Sequence, residues 1–471
     1  MNDLFQRSRS GRLLILCLCI IAFWCAGCAD DSAAPEAAAP IVVFSDVHFT
    51  PFYDPEIFRD LVDASPDLWA GIFKGSSITE PQSWGKETNY PLFERMLQAV
   101  RKASVSSPLV LFPGDILSHK FRETFFRLYG EEDEAAVRSF AHKTCAFFAG
   151  QVREHLSGTP VVFVLGNNDA YAGDYRLTPG GEFLADTSDL FYSTLLLGGA
   201  DPETFHRTYA AGGYYTAQPS RSHVLFICLS TVLFSVHWSS DGAADAPMRQ
   251  LDWLEQTLSH AGAQGKRVWI LMHVPPGADV FATVSGYMDD TGRISDARML
   301  WKTEYQERFL EIIRPYEEMI EACFAGHTHM DEYRIMFYGD GDASEPILIS
   351  PAVSPQFGNS PGFKAFTLST ADWALQDYQS VVYPLEIPDG TFQTYYAFSS
   401  AYGLGGPLNP ALIRLVPELA VSEARRMNYR RFYYSGHDAG NPITDINWPA
   451  YWCAIGNMSK DAYMGCVNGY P

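Results

Sequence analysis

The chain has 471 residues, 47% of them apolar, and a formal charge of −21; it is long enough for two compact units or one large α/β domain with additions. That acidity excludes a nucleic-acid polymer as partner, since affinity there comes mainly from Lys and Arg neutralising phosphates. A small phosphorylated substrate stays open, because bound metal ions reverse the sign of a local field.

In chain order, Arg7, Arg9 and Arg12 precede the apolar run Leu13 to Trp24, which ends in Cys25-Ala26-Gly27-Cys28. The run is long for a signal core and short for a membrane span. Residues 1–28 therefore read as a targeting segment of an exported chain. They resemble a bacterial lipoprotein signal, in which the cysteine after a small residue, here Cys28, is lipidated and holds the protein at a membrane. Cys25 stands where that pattern prefers leucine, and plain secretion or an uncleaved anchor are the rival readings. Residues 29–40, rich in Ala with two prolines, read as a tether with too little apolar content to fold.

Regular structure is expected from Ile41. Ile41-Val42-Val43-Phe44 reads as a buried parallel strand, and polar residues arrive as it ends, in Ser45-Asp46-Val47-His48. The arrangement recurs four times. Leu109 to Phe112 precedes Pro113-Gly114-Asp115; Val161 to Leu165 precedes Gly166-Asn167-Asn168-Asp169; Val268 to Met272 precedes His273; and Ala322 to Ala325 precedes Gly326-His327-Thr328-His329. Open α/β sheets gather their ligands at the carboxyl ends of strands, so this repetition marks a site. His327 and His329, two residues apart, can face one cavity, and paired neutral imidazoles suit metal ions.

Between the strands, helical spacing is carried by Leu92, Met96, Leu97 and Val100, by Ala135 to Val152, and by Leu251, Leu254 and Leu258. Strand and helix alternation predicts a parallel core with helices on its faces. Residues 171–215, dense in Gly, Asp, Thr and Tyr, read as long loops over a sheet edge. Ala411 to Met427 reads as helix, kinked or divided at Pro417. Cys145, Cys228 and Cys323 sit in apolar sequence as buried thiols. Cys453 and Cys466 are expected to form a disulfide, the alternative being a zinc pair without further ligands nearby.

Taken together, Asp46-x-His48, Gly114-Asp115, Gly166-Asn167, His273 and Gly326-His327-x-His329 resemble, in that order, the motifs of the calcineurin-like metallophosphoesterases. The finer resemblance is to the acid sphingomyelinase-like phosphodiesterases. It is carried by Gly114 to His119, His273-Val274-Pro275-Pro276-Gly277, Gly326 to Glu332, Asn359-Ser360-Pro361-Gly362 and Trp452-Cys453 to Cys466, and it spans nearly everything from Ile41. It implies a β-sandwich core flanked by helices in a catalytic domain over 41–377, followed by a helical C-terminal region over 378–471 of structural role.

The resemblance also implies a ligand set for two divalent ions, zinc being favoured, although no sulfur ligand is present and iron and manganese are chemically allowed. Asp46, His48 and His329 hold one ion, Asn167, His273 and His327 the other, and Asp115 bridges them. Such ions, about 3.5–4 Å apart, clamp a phosphoryl group and activate a shared hydroxide for in-line attack. His119 matches a family histidine that protonates the departing alkoxide, the bland alternative being a loop histidine in solvent. Most relatives have a histidine where this chain has Asn168. Asn168 can donate a hydrogen bond to a phosphoryl oxygen but supplies no proton.

The stretch from Cys28 to Ile41 leaves no room for the saposin module of human-type acid sphingomyelinases, which turns the expectation toward nucleotide or phospholipid-type diesters. Trp84, Tyr171, Tyr175 and Trp238 are candidates to stack a base or line an acyl groove, or else to pack. His237 and His437 are expected to be non-ligands. The alternatives are a degenerate phosphoesterase that keeps its metals as a binding protein, with Asn168 as the lesion, and a phosphomonoesterase.

Overall fold

Twelve segments form strands among the described residues: β1 (Ala38–Val43), β2 (Val110–Phe112), β3 (Val161–Phe163), β4 (Tyr215–Ala217), β5 (Val224–Cys228), β6 (Arg267–Leu271), β7 (Ile320–Ala325), β8 (Glu332–Phe337), β9 (Ser344–Ile349), β10 (Gly362–Ser369), β11 (Leu375–Val382) and β12 (Gln393–Ala397). They belong to a computed structural model that describes residues 38–239, 243–337, 344–387, 389–437 and 440–470. The targeting segment, Cys28 and most of the expected tether lie outside the described residues. Ala38 to Pro40, assigned to the tether, instead open β1.

The strands make two six-stranded sheets, ordered β12-β11-β10-β1-β2-β3 and β4-β5-β6-β7-β9-β8. The five strands read from sequence are β1, β2, β3, β6 and β7, and each pairs in parallel with the neighbours that flank the site. The sheets are mixed, because β4, β8 and β10 to β12 add antiparallel edges. Sheet meets sheet through rings: Phe324 on β7 packs on Phe366 of β10 with centroids 5.5 Å apart, and Phe163 on β3 packs on Tyr215 of β4 at 5.4 Å. The α/β sandwich flanked by helices is therefore present.

The three expected helices form over Tyr90–Ala103, Glu134–Leu156 and Ala246–Ala263. Their starts are chemically marked, since Asn89 accepts from Leu92 N–H and Asp133 from Ala135 and Ala136 N–H. Residues 171–215 depart from expectation. They fold into a helix at Glu182–Phe191, a π-helical turn at Tyr192–Leu196 and a helix at Pro202–Gly212. The composition that read as loop is cap chemistry: Asp201 accepts from Thr204 N–H, Pro202 opens the helix and Gly213 closes it at φ 83°.

The C-terminal region departs too. The expected boundary at 378 falls inside β11, and β12 extends the first sheet before the helices begin at Phe398. Pro417 lies within a continuous helix, Leu408–Val421, held by burial of Leu412, Leu415, Val416 and Leu419 on one face. The division falls at Ser422, whose hydroxyl caps the next helix, Glu423–Tyr433. Cys453 and Cys466 form the expected disulfide, joining the helices Trp448–Gly456 and Lys460–Gly469, while Cys145, Cys228 and Cys323 are free and buried.

One buried ion pair ties the loop after β7 to the first sheet. Lys364 on β10 is 1% exposed, and its Nζ stands 2.8 Å from Asp331 Oδ1. The same ammonium donates to the Ile349 carbonyl at 2.7 Å, and Tyr396 Oη donates to Asp331 Oδ2 at 3.0 Å. Removing one partner strands a buried charge, so Lys364→Met is expected to cost about 3–5 kcal/mol in denaturant unfolding. The double variant Lys364→Met, Asp331→Leu is expected to recover most of that loss. A single variant as stable as the parent would show that the pair does not anchor this loop.

Candidate metal centre

Each polar cluster sits where a strand stops, and the stops are tied together by main-chain hydrogen bonds. Asp46 N–H donates to the Gly114 carbonyl at 2.9 Å, His48 N–H to the Asp115 carbonyl at 3.0 Å, and Gly326 N–H to the His273 carbonyl at 3.1 Å. Asp46, His48, Asp115, His327 and His329 all lie in the left-handed region, with φ between 45° and 72°. Non-glycine residues there are held by their surroundings at some cost and gather at functional sites. Glycine is required beside them. A Cβ on Gly326 would stand 2.5 Å from Asp46 Oδ2, and one on Gly166 would overlap Asp115 Oδ1.

All seven residues expected as ligands come together. Asp115 Oδ2 lies 3.3 Å from His48 Nε2 and 3.3 Å from His273 Nε2. On one side of it, His48 Nε2 and His329 Nε2 are 3.1 Å apart, with Asp46 Oδ1 3.6 Å from the latter. On the other, Asn167 Oδ1 is 2.9 Å from both His273 Nε2 and His327 Nδ1. His48, His119 and His329 offer nitrogens within 4.8 Å of one another, as do the ligand atoms of Asp46, Asp115 and His273.

This donor set fits cations. His48 Nδ1 faces the Leu117 carbonyl at 3.1 Å, and His273 Nδ1 faces that of Pro113 at 2.7 Å. A carbonyl only accepts, so each Nδ1 carries a proton and each Nε2 faces inward, that of His48 as a lone pair and that of His273 as one once a cation replaces its second proton. Lone pairs converging on carboxylate oxygens repel unless positive charge lies among them. Burial pushes His48 down to about 3 and holds His327 and His329 well below the usual imidazole range, which keeps them neutral as metal ligands must be. Burial also raises Asp46 to about 7. Against burial, Asp115 and Asp46 hold His273 up at about 9, while His273 and His48 hold Asp115 well below the carboxylate range. The space draws positive charge to itself.

Three neighbours went unassigned in the sequence. Asp169 accepts from the N–H groups of Asp115, Ile116, Leu117 and Gly166 at 2.8–3.2 Å, lacing the ends of β2 and β3 together. Glu87 Oε1 takes both the His119 N–H and Nδ1–H at 2.7 Å. Asp174 Oδ1 accepts from Asn167 Nδ2 at 2.7 Å. Asp169 was visible within the Gly166 to Asp169 cluster, but Glu87 and Asp174 lie in loops with no pattern to expose them.

A cavity of about 880 Å³ opens over the cluster. His119 lines it, stacked on the His48 ring with centroids 4.1 Å apart. Asn168 does not line it. Its Nδ2 donates to Asp115 Oδ2 at 3.1 Å and its N–H to Oδ1 at 2.8 Å, so its amide is spent on the shared carboxylate. Of the four aromatic candidates, Trp84 and Tyr175 line the cavity, whereas Tyr171 bonds Asp186 and the buried Trp238 bonds the Leu177 carbonyl. His437 also reaches the cavity, stacked on Trp84 at 3.9 Å, together with Tyr433 and Tyr451. The C-terminal region, expected to be only structural, thus supplies part of the wall. His237 is exposed and packs on Tyr175, with ring centroids 5.1 Å apart.

The profile of the calcineurin-like phosphoesterase family matches residues 39–331. Among curated proteins, the cyclic GMP-AMP phosphodiesterase SMPDL3A of Rattus norvegicus is 23% identical over 474 residues, covering 96% of this chain and 98% of that protein. The acid sphingomyelinase-like phosphodiesterase 3b of Mus musculus is 23% identical, with 90% and 89% covered. The sphingomyelinase phosphodiesterase D of Dictyostelium discoideum is 29% identical over 262 residues, 52% of this chain and 54% of that protein. With its motif order, its strand-end cluster and a profile match over most of its length, the chain belongs to the calcineurin-like phosphoesterase family, and its relatives along most of that length are acid sphingomyelinase-like phosphodiesterases.

Proposed function

We propose that the chain is an exported phosphodiesterase that works with two divalent ions, Asp46, His48 and His329 holding one, Asn167, His273 and His327 the other, and Asp115 shared. The observation that carries this reading is the Asp115 Oδ2 atom, 3.3 Å from an inward-facing Nε2 on either side. Bound there, divalent cations supply Lewis-acid charge to a phosphoryl group and a nucleophile at neutral pH. Zinc is the ion the family resemblance favours. Asn168 holds the shared carboxylate in place, and His119 donates the proton to the leaving alkoxide. Glu87 supports that role: it occupies Nδ1, leaving Nε2 to carry the mobile proton, and against burial it raises the His119 pKa above its ordinary value.

The substrate is a small diester of nucleotide or phospholipid type. The relatives' names supply both classes, and a cavity walled by Trp84, Tyr175 and Phe357 accepts a bulky apolar or planar group. Lipidation of Cys28 would hold the enzyme at a cell-envelope membrane.

Metal analysis and hydrolysis of bis-nitrophenyl phosphate beside nitrophenyl phosphate test this. The expected result is near two ions per chain, faster turnover of the diester, and loss of that turnover in Asp115→Asn. Two ions without turnover of either ester would leave a metal-holding binding protein; preference for the monoester would make it a phosphomonoesterase.

The acid is tested separately. His119→Ala is expected to slow diesters with poor leaving groups about 10²–10⁴-fold and nitrophenyl diesters far less. Glu87→Gln should show the same asymmetry, smaller in size. Equal losses on both substrate types would remove His119 from proton transfer. Asn168→His is expected to leave the rate within a few-fold of the parent unless its new imidazole turns from Asp115 into the cavity, which a rise in rate would report.

A further inference from the structure

The two halves of the site are braced by different means. Around Asp46, His48 and His329 the braces found are main chain, and His329 Nδ1 has none: His327 N–H donates to Asp46 Oδ1 and Oδ2 at 3.0 and 3.1 Å, and His48 Nδ1–H to the Leu117 carbonyl. Around Asn167, His273 and His327 only His273 is braced in that way, by the Pro113 carbonyl. The other two lean on adjacent side chains of one loop. Asp174 Oδ1 takes the Asn167 amide at 2.7 Å, and Tyr175 Oη stands 3.2 Å from His327 Nε2.

Each contact does a definite job. A carboxylate only accepts, so Asp174 fixes which end of the Asn167 amide is nitrogen and turns Oδ1 toward His273 and His327. With Asn167 Oδ1 and His327 Nδ1 on a common cation, the His327 proton must reside on Nε2, and the Tyr175 hydroxyl is the acceptor that keeps it there. The loop is shaped for this. Tyr175 adopts φ 54°, unusual for an aromatic residue, and its N–H returns to the Asn167 carbonyl at 2.8 Å. Asp174 and Tyr175 also line the cavity, so the brace is open to whatever enters it.

We infer that Asp174 and Tyr175 are positioning residues that set the affinity of one metal subsite, the one formed by Asn167, His273 and His327, independently of the other. The inference rests on the two-ion reading above. Partners of this kind change metal affinity about 10–100-fold when removed.

The test follows release of zinc, one ion at a time, from the metal-loaded full chain to a competing chelator. The parent is expected to give two release constants. Tyr175→Phe, which keeps the ring, and Asp174→Ala should each weaken one constant by about 10–100-fold and leave the other unchanged. Asp174→Asn, which keeps an acceptor oxygen in place, should restore most of the loss. Tyr171→Phe, whose hydroxyl bonds Asp186 away from the cavity, is the control for the loop and should move neither constant. Both constants falling together, neither moving, or Tyr171→Phe matching Tyr175→Phe would overturn the inference while the two-ion reading stands. A parent chain that holds fewer than two ions would overturn both.

Discussion

Asp115 places a carboxylate, 1% exposed, between two sets of inward-facing imidazole nitrogens, and the surrounding structure follows from what it takes to keep it there. A buried acid is costly unless positive charge and hydrogen bonds meet it. Asn168 contributes two donors, and the remaining charge has to come from cations, or without them from a proton on His273. The same oxygen is needed by both halves of the cluster. Both halves need Asp115 from the end of β2, and each takes a histidine from the end of β7.

That dependence explains why the strand ends are so closely tied. Residues 114–119 and 166–169 must approach within contact of each other, so Gly114 and Gly166 lie where a Cβ would collide. Asp169 then fills the gap, gathering four main-chain N–H groups that no strand partner satisfies. On the far side, the ion pair of Asp331 and Lys364 fixes the chain immediately after His329 to β10 and, through Tyr396, to β12. The geometry of the imidazoles is thus held by charged groups that do not line the cavity. Rigid support of this kind is what lets strained residues such as His48 and His327 persist.

The parts legible in the sequence are those whose signal is local. An apolar run that stops at Asp, Asn or His announces both a buried strand and a candidate ligand, and β1, β2, β3, β6 and β7 were readable on that ground. The helices in 171–215 were not, because their caps Asp201, Pro202 and Gly213 have the composition of loops and only the buried spacing of Phe183, Leu184, Phe191, Phe205 and Tyr209 marks them. The antiparallel edges escaped for another reason: β11 and β12 are half-exposed and polar, and they are strands because a partner exists, not because of their own pattern. Glu87, Asp174 and Tyr175 share that property. They act through residues 32, 7 and 152 positions away, and no single spacing rule contains those relations.

The candidate ligands and the cavity wall divide along the chain in the same way. The family profile ends at residue 331, and every candidate ligand lies before that point. Much of the cavity wall lies after it: Phe357 is half-exposed with its ring 4.7 Å from that of His329, and His437 is stacked on Trp84. Hydrogen bonds link these wall segments to one another, from Gly85 N–H to the Pro355 carbonyl and from His437 Nδ1 to the Gly358 carbonyl. A substitution in the wall therefore alters what the cavity admits without reaching Asp115. The C-terminal helices, pinned by Cys453 and Cys466, carry Tyr433 and Tyr451 to the same wall. Their packing against the core therefore shapes the space above a centre whose candidate ligands all lie in the part of the chain that the family profile matches.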